Sequence, residues 1–140
     1  MNAAALLQNR PEGLYCPAGD FFVDPVRPVA RAVVTHGHAD HCRPGMGAIL
    51  ATPETLRIAA ARFGDSAFGS QQALAPGETL LLGDVTLRLA PSGHVLGAAQ
   101  VVIERGGQRA VVSGDYKRTA DPTCAPFEPV ECDLFVTEAT

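Results

Sequence analysis

Three histidines and a carboxylate fall within six residues in Thr35-His36-Gly37-His38-Ala39-Asp40-His41. Neutral imidazole and carboxylate suit zinc and similar divalent ions, and four such groups exceed what one structural site needs from one loop. His36 and His38, two residues apart, can aim at one ion. Asp40 and His41, past a bend for which Gly37 leaves room, can aim at a second. The chain has four histidines in all, and the fourth, His94, ends the turn-like stretch Pro91-Ser92-Gly93-His94 after an apolar run. Asp115, in Ser113-Gly114-Asp115-Tyr116-Lys117, follows a third apolar run, where a carboxylate could bridge two ions. A lone histidine is ordinarily a surface or core residue, and a lone Gly-Asp is ordinarily a turn. The clustering is what points to metal.

Short strands broken by Gly, Pro and Asp must position these groups. Leu14 to Cys16 and Asp20 to Val23 flank Pro17-Ala18-Gly19 and read as a hairpin. Arg31 to Thr35 is a β-branched run suited to a buried strand, and it leads straight into the histidine cluster. Ala48 to Leu50 is another apolar stretch. Thr52 followed by Pro53 reads as a helix start, and Glu54 to Arg62 as the helix. Phe63 to Pro76 shows no period and reads as a loop. Gly83-Asp84 and Gly106-Gly107 are turn pairs between Thr79–Leu82 and Val85–Ala90, and between Ala99–Glu104 and Arg109–Ser113. Asp121 to Pro129 is a loop, and Asp133 to Thr137 a last strand.

A chain of 140 residues allows one domain, and 46% hydrophobic with 19% charged residues is enough to pack a core. No apolar run approaches a membrane span. Met1 to Arg10 lacks the basic segment and apolar core of a signal peptide, so a cytoplasmic protein is expected. Cys16, Cys42, Cys124 and Cys132 show no CxxC spacing and read as reduced thiols. The net charge of −4 argues against nucleic acid taken alone, but two divalent ions would add +4 at the site. Arg27, Arg31, Arg43 and Arg118 are candidates to flank it.

Thr-His-Gly-His-Ala-Asp-His is similar to the HxHxDH signature of the metallo-β-lactamase fold, an α/β (α+β) sandwich of αββα layers with metals in its strand-end loops. That resemblance implies that His36, His38 and His94 hold one ion, Asp40 and His41 the other, and Asp115 both. The two divalent metal ions would be Zn²⁺ first, with Mn²⁺ as an alternative. Asp40 and Asp115 become the catalytic carboxylates, Asp40 as a ligand and proton acceptor. A seventh ligand, a histidine late in that domain, has no counterpart after His94. Gly114-Asp115-Tyr116-Lys117 and Thr137-Glu138-Ala139-Thr140 resemble motifs of the β-CASP nucleases, with Ala139 in place of the usual serine. The stretches 10–17, 92–97 and 121–129 resemble the bacterial ligase-associated DNA exonucleases.

The resemblance implies a hydrolase, a metal-dependent exonuclease of DNA repair. It implies nucleic acid as partner, DNA ahead of RNA, and a DNA ligase as a further partner. It also implies that residues 1–140 are the N-terminal portion of the domain, leaving Asp133–Thr137 as an exposed edge and the chain a poor nuclease by itself. Glu138 and Lys117 are candidates for support of the site or contact with substrate; each has the plainer reading of an exposed charge. Tyr116 reads as packing and Cys42 as a buried thiol. The rivals are an RNA-processing β-CASP nuclease, a thioester or lactone hydrolase, and a non-catalytic metal-binding fragment.

Overall fold

The computed structural model describes residues 3–38, 40–64, 66–119 and 122–137. After a short 3-10 turn, Ala3–Leu6, the strands are β1 (Gln8–Arg10), β2 (Gly13–Cys16), β3 (Phe21–Val23), β4 (Arg31–Val33) and β5 (Ala48–Ala51). Helix α1 (Pro53–Phe63) follows, then β6 (Ser70–Ala73), β7 (Thr79–Leu82), β8 (Val85–Pro91), β9 (Ala99–Arg105), β10 (Gln108–Val112) and β11 (Leu134–Val136).

They form two sheets, of order β1-β2-β3-β4-β5-β6 and β11-β10-β9-β8-β7. In the first, β3 to β6 run parallel; in the second, all pairs are antiparallel except β10 with β11. Period-two alternation decides the faces. Val33 and Leu50 of the first sheet meet Val85, Leu87, Leu89, Val101 and Ile103 of the second in the inter-sheet core. Ala32, Val34, Ile49 and Ala51 point the other way, onto Ala59 and, at its margin, Leu56 of α1. Two faces of the expected αββα stack therefore carry the same logic, with one difference. Among the described residues the outer face of the second sheet, at Ala90, Val102 and Val111, is covered by Val130 and Cys132 of a loop rather than by a helix.

Helix α1 starts as its residues require. The Thr52 hydroxyl accepts from Thr55 N at 3.2 Å, Pro53 opens the first turn, and Gly64 N returns a bond to Ala60 O at the other end. The two hairpin turns also form as expected, with Gly83, Gly106 and Gly107 at positive φ. The stretch from Phe63 to Pro76 is not all loop. Its polar segment Ser70–Ala73 becomes β6 because β5 offers it a parallel edge. β1 is likewise absent from the sequence pattern, and its three residues are all exposed.

Candidate metal centre

Parallel pairing brings the critical loops to one end of the sandwich. β3 and β4 are parallel, so the turns after them lie side by side, and β8 and β10, both antiparallel to β9, end in the same direction. The loop after β4 carries His36 to His41, the loop after β8 carries His94, and the loop after β10 carries Asp115.

One ligand atom each from His36, His38, His94 and Asp115 lies within 4.8 Å of the others, and the same holds for His36, Asp40 and His41. His94 Nε2 is 3.2 Å from His38 Nδ1. The two Asp115 oxygens divide their neighbours: Oδ2 is 3.6 Å from both His36 Nε2 and His94 Nε2, and Oδ1 is 3.5 Å from His41 Nε2. Asp40 Oδ2 is 3.4 Å from His41 Nε2. His36, His41 and Asp115 are buried, His94 is partly exposed, and His38 and Asp40 are exposed.

Whether these residues fit a metal is answered by two orphaned atoms. His36 Nε2 and Asp115 Oδ1 are buried with no hydrogen-bond partner among the described residues. A buried polar atom left unpaired costs about 1–3 kcal/mol. Ligand atoms about 2.0–2.1 Å from one tetrahedral ion stand about 3.3 Å apart, which is close to the separations here. The donor set suits a divalent cation.

The hydrogen bonds behind the histidines assign their protons. With Asp24 ionised, the one hydrogen of the Thr35 hydroxyl goes to Asp24 Oδ2 at 2.6 Å, because an ionised carboxylate only accepts. Thr35 Oγ1 must then accept from His36 Nδ1 at 2.9 Å. His41 Nδ1 donates to the same Asp24 oxygen at 2.7 Å, and Thr35 N donates to Oδ1 at 2.8 Å. Both imidazoles thus carry their proton on Nδ1 and turn an Nε2 lone pair toward the cluster. Burial, and then the neighbouring His41, His94 and His38, push the His36 pKa down to about 3, so its ring stays neutral. Burial also lowers His94, against the pull of Asp115. Asp24 is pushed up by burial, with its bonds to His41 and Thr35 opposing.

Asp24 is the residue that sequence reasoning missed. It follows β3 as Asp24-Pro25, which reads as a plain turn. The parallel register Val23↔Val33 carries it beside Thr35, and its φ of 46° turns the side chain into that space. Gly37 lies in a bend, as expected, and has a second role. Its φ is not positive; a Cβ there would meet Ile58 Cγ2 at 2.6 Å, so glycine admits the helix. Lys117 is exposed, and its backbone N ties the Asp115 loop to Ser92 O at 2.9 Å. Tyr116 packs on Phe127 and Phe135, with ring centroids 5.4 and 6.3 Å away. Cys42 is buried and its thiol is pushed up to about 11. Arg31 opens β4 and so lies at the far end of that strand, roughly 16 Å of extended chain from His36. Glu138, with Ala139 and Thr140, lies outside the described residues.

No family model matches the chain. A probable DNA ligase from Opitutus terrae is 31% identical over 134 residues, covering 91% of this chain and 12% of that protein. A ribonuclease from Thermus thermophilus is 30% identical over 145 aligned positions, covering 86% of this chain and 33% of its own. The chain is similar to β-CASP-like nucleases of the metallo-β-lactamase fold along part of their length. Alignments of that extent take in every residue from His36 to Asp115. A solved structure of CmlA, a diiron β-hydroxylase from Streptomyces venezuelae, shares the fold at 17% identity. Its TM-score is 0.55, over 76% of this chain and 28% of that one. The chain thus spans about an eighth and a third of the length of the two sequence relatives. Among the described residues no helix is long and apolar enough to cross a membrane.

Proposed function

We propose that the chain carries the metal centre of a nucleic-acid phosphodiesterase, a DNA exonuclease working with a ligase in repair, as the N-terminal portion of a larger domain. The observation that carries this reading is the convergence of four imidazoles and Asp115 around two buried, unpaired ligand atoms. His36, His38 and His94 would hold one divalent ion, zinc or manganese, Asp40 and His41 a second, and Asp115 would join both. Such ions supply Lewis-acid stabilisation of charge on phosphoryl oxygens and a nucleophile at neutral pH.

The chain's own residues do the rest. Asp24 and Thr35 hold the protons of His41 and His36 on Nδ1 and so turn an Nε2 lone pair of each toward the cluster. Desolvation holds His36 neutral. Asp40, with a side chain 69% exposed and its Oδ2 near His41, would accept a proton and pass it to solvent. The ligase-named relative, which spans 91% of the chain, favours DNA; the Thermus ribonuclease supports RNA processing as the second reading.

The test is end-labelled single- and double-stranded DNA, and RNA of the same sequence, incubated with the purified chain and Zn²⁺ or Mn²⁺. Joined to its downstream sequence, the protein should shorten DNA from an end and lose this on Asp115→Asn. Residues 1–140 alone should be far weaker. Cleavage of RNA only would replace the DNA reading, and no metal-dependent cleavage by the longer protein would end the nuclease reading.

A further inference from the structure

Helix α1 grips two of the histidine-bearing loops, one at each of its ends. At its C-terminal end Arg62 Nη1 donates to the Gly37 carbonyl at 2.6 Å, and Ile58 fills the space beside Gly37. At its N-terminal end the hydroxyls of Thr52 and Thr55 both donate to Gly97 O, at 2.7 and 3.2 Å. Gly97 has a φ of 79°, and a Cβ there would lie 2.7 Å from that of Glu54, so this contact too is backbone against helix. Gly37 stands between His36 and His38; Gly97 closes the loop that His94 opens.

The roots of the two loops are joined directly, by Ala99 N donating to Thr35 O at 2.8 Å. Their tips meet where His38 Nδ1 and His94 Nε2 stand 3.2 Å apart. The tips contain Gly37, Gly93 and Gly97, which have no side chains to anchor them. Helix α1, by contrast, is hydrogen-bonded along its length and spans about 16 Å, so it can hold two contacts at a fixed distance.

We propose that α1 is a strut that sets the spacing between His38 and His94, with Arg62 and Thr55 as positioning residues at its two ends. This rests on the reading of His38 and His94 as ligands of one ion. Neither positioning residue touches that ion; each acts through a loop carbonyl.

The test uses Co²⁺ alone, added to the metal-free chain and followed by its visible absorption. Arg62→Met keeps an unbranched stem and removes the donor at one end; at the other, Thr52→Val together with Thr55→Val keeps the shapes and removes both hydroxyls that donate to Gly97 O. Each is expected to weaken Co²⁺ binding about tenfold, the low end of what loss of a hydrogen bond to a metal ligand itself costs, since here the bond is to a carbonyl beside the ligand. Arg62→Lys, which restores a donor, should recover most of the loss. Thr55 and Arg62 are about 10 Å apart along the helix, where independent effects normally add. A strut fails when either end is loose, so the double variant, altered at both ends, should bind Co²⁺ about as well as the weaker of the two altered at one end. A loss near a hundredfold in the variant altered at both ends, or one-end variants that bind like the parent, would overturn the proposal. Circular dichroism of the metal-free variants checks folding, and Thr52→Ala with Thr55→Ala serves at that end if the valine pair does not fold. A parent chain that takes up no Co²⁺ overturns the ligand reading and the strut with it.

Discussion

Replacing Asp24 by Asn tests the proton assignment behind the metal centre. The Asp24 carboxylate accepts from three donors: Thr35 N at 2.8 Å, Thr35 Oγ1 at 2.6 Å and His41 Nδ1 at 2.7 Å. Asparagine has one oxygen where aspartate has two. If that oxygen faces His41 and the Thr35 hydroxyl, the buried Thr35 N–H meets an NH₂ group and loses its acceptor, at about 1–3 kcal/mol. If instead the NH₂ faces them, His41 Nδ1 must accept, Thr35 Oγ1 turns its hydrogen to His36 Nδ1, and both imidazole protons move to Nε2. The lone pairs would then point away from the cluster. Outer-partner losses of this kind cost about 10–100-fold in metal affinity. Denaturant unfolding of the metal-free chain should show the first cost. Competition with a zinc chelator should show the second, and ring ¹⁵N shifts of the histidines should report which nitrogen is protonated. A variant with parental stability, zinc affinity and ring shifts would refute the reasoning, because Asp24 would then be an ordinary turn residue.

Replacing His36 and His38 together by Ala should abolish bound zinc in elemental analysis; an unchanged zinc content would remove both from the ligand set. Leu89, fully buried between the sheets, should cost about 2–5 kcal/mol as Leu89→Ala, a large share of the roughly 5–15 kcal/mol of a typical domain, measured by urea unfolding. A thiol reagent should modify the partly exposed Cys124 and Cys132 in the folded chain. It should reach buried Cys16 and Cys42 only after denaturation, since burial also keeps both of those thiols protonated. In the proposed longer nuclease, Lys117→Ala should reduce the salt dependence of DNA binding by a slope of roughly 0.9 if it meets one phosphate, and an unaltered slope would leave it a surface charge.

Features set by neighbours along the chain are legible in the order of residues alone. Thr52, Pro53 and Glu54 mark the start of α1 because capping and first-turn geometry involve only adjacent residues. Gly83-Asp84 and Gly106-Gly107 mark hairpins for the same reason, and the crowding of His36, His38, Asp40 and His41 in one loop needs no fold to be noticed. Relations between distant segments are not legible in that way. Ser70–Ala73 is polar and exposed, with no pattern of its own, and it is a strand only because β5 presents an open parallel edge. Asp24 lies 17 residues from His41, and only the β3–β4 register brings its carboxylate within 2.7 Å of that ring. Gly37 reads as a bend and is one, but its second role, admitting Ile58 of α1, shows only once the helix is placed against it. Local propensities are energies of one or two turns of chain. The meeting of His38, His94, Asp115 and Asp24 is decided by burial between and beside two sheets, which aligns strand ends that the sequence separates by dozens of residues.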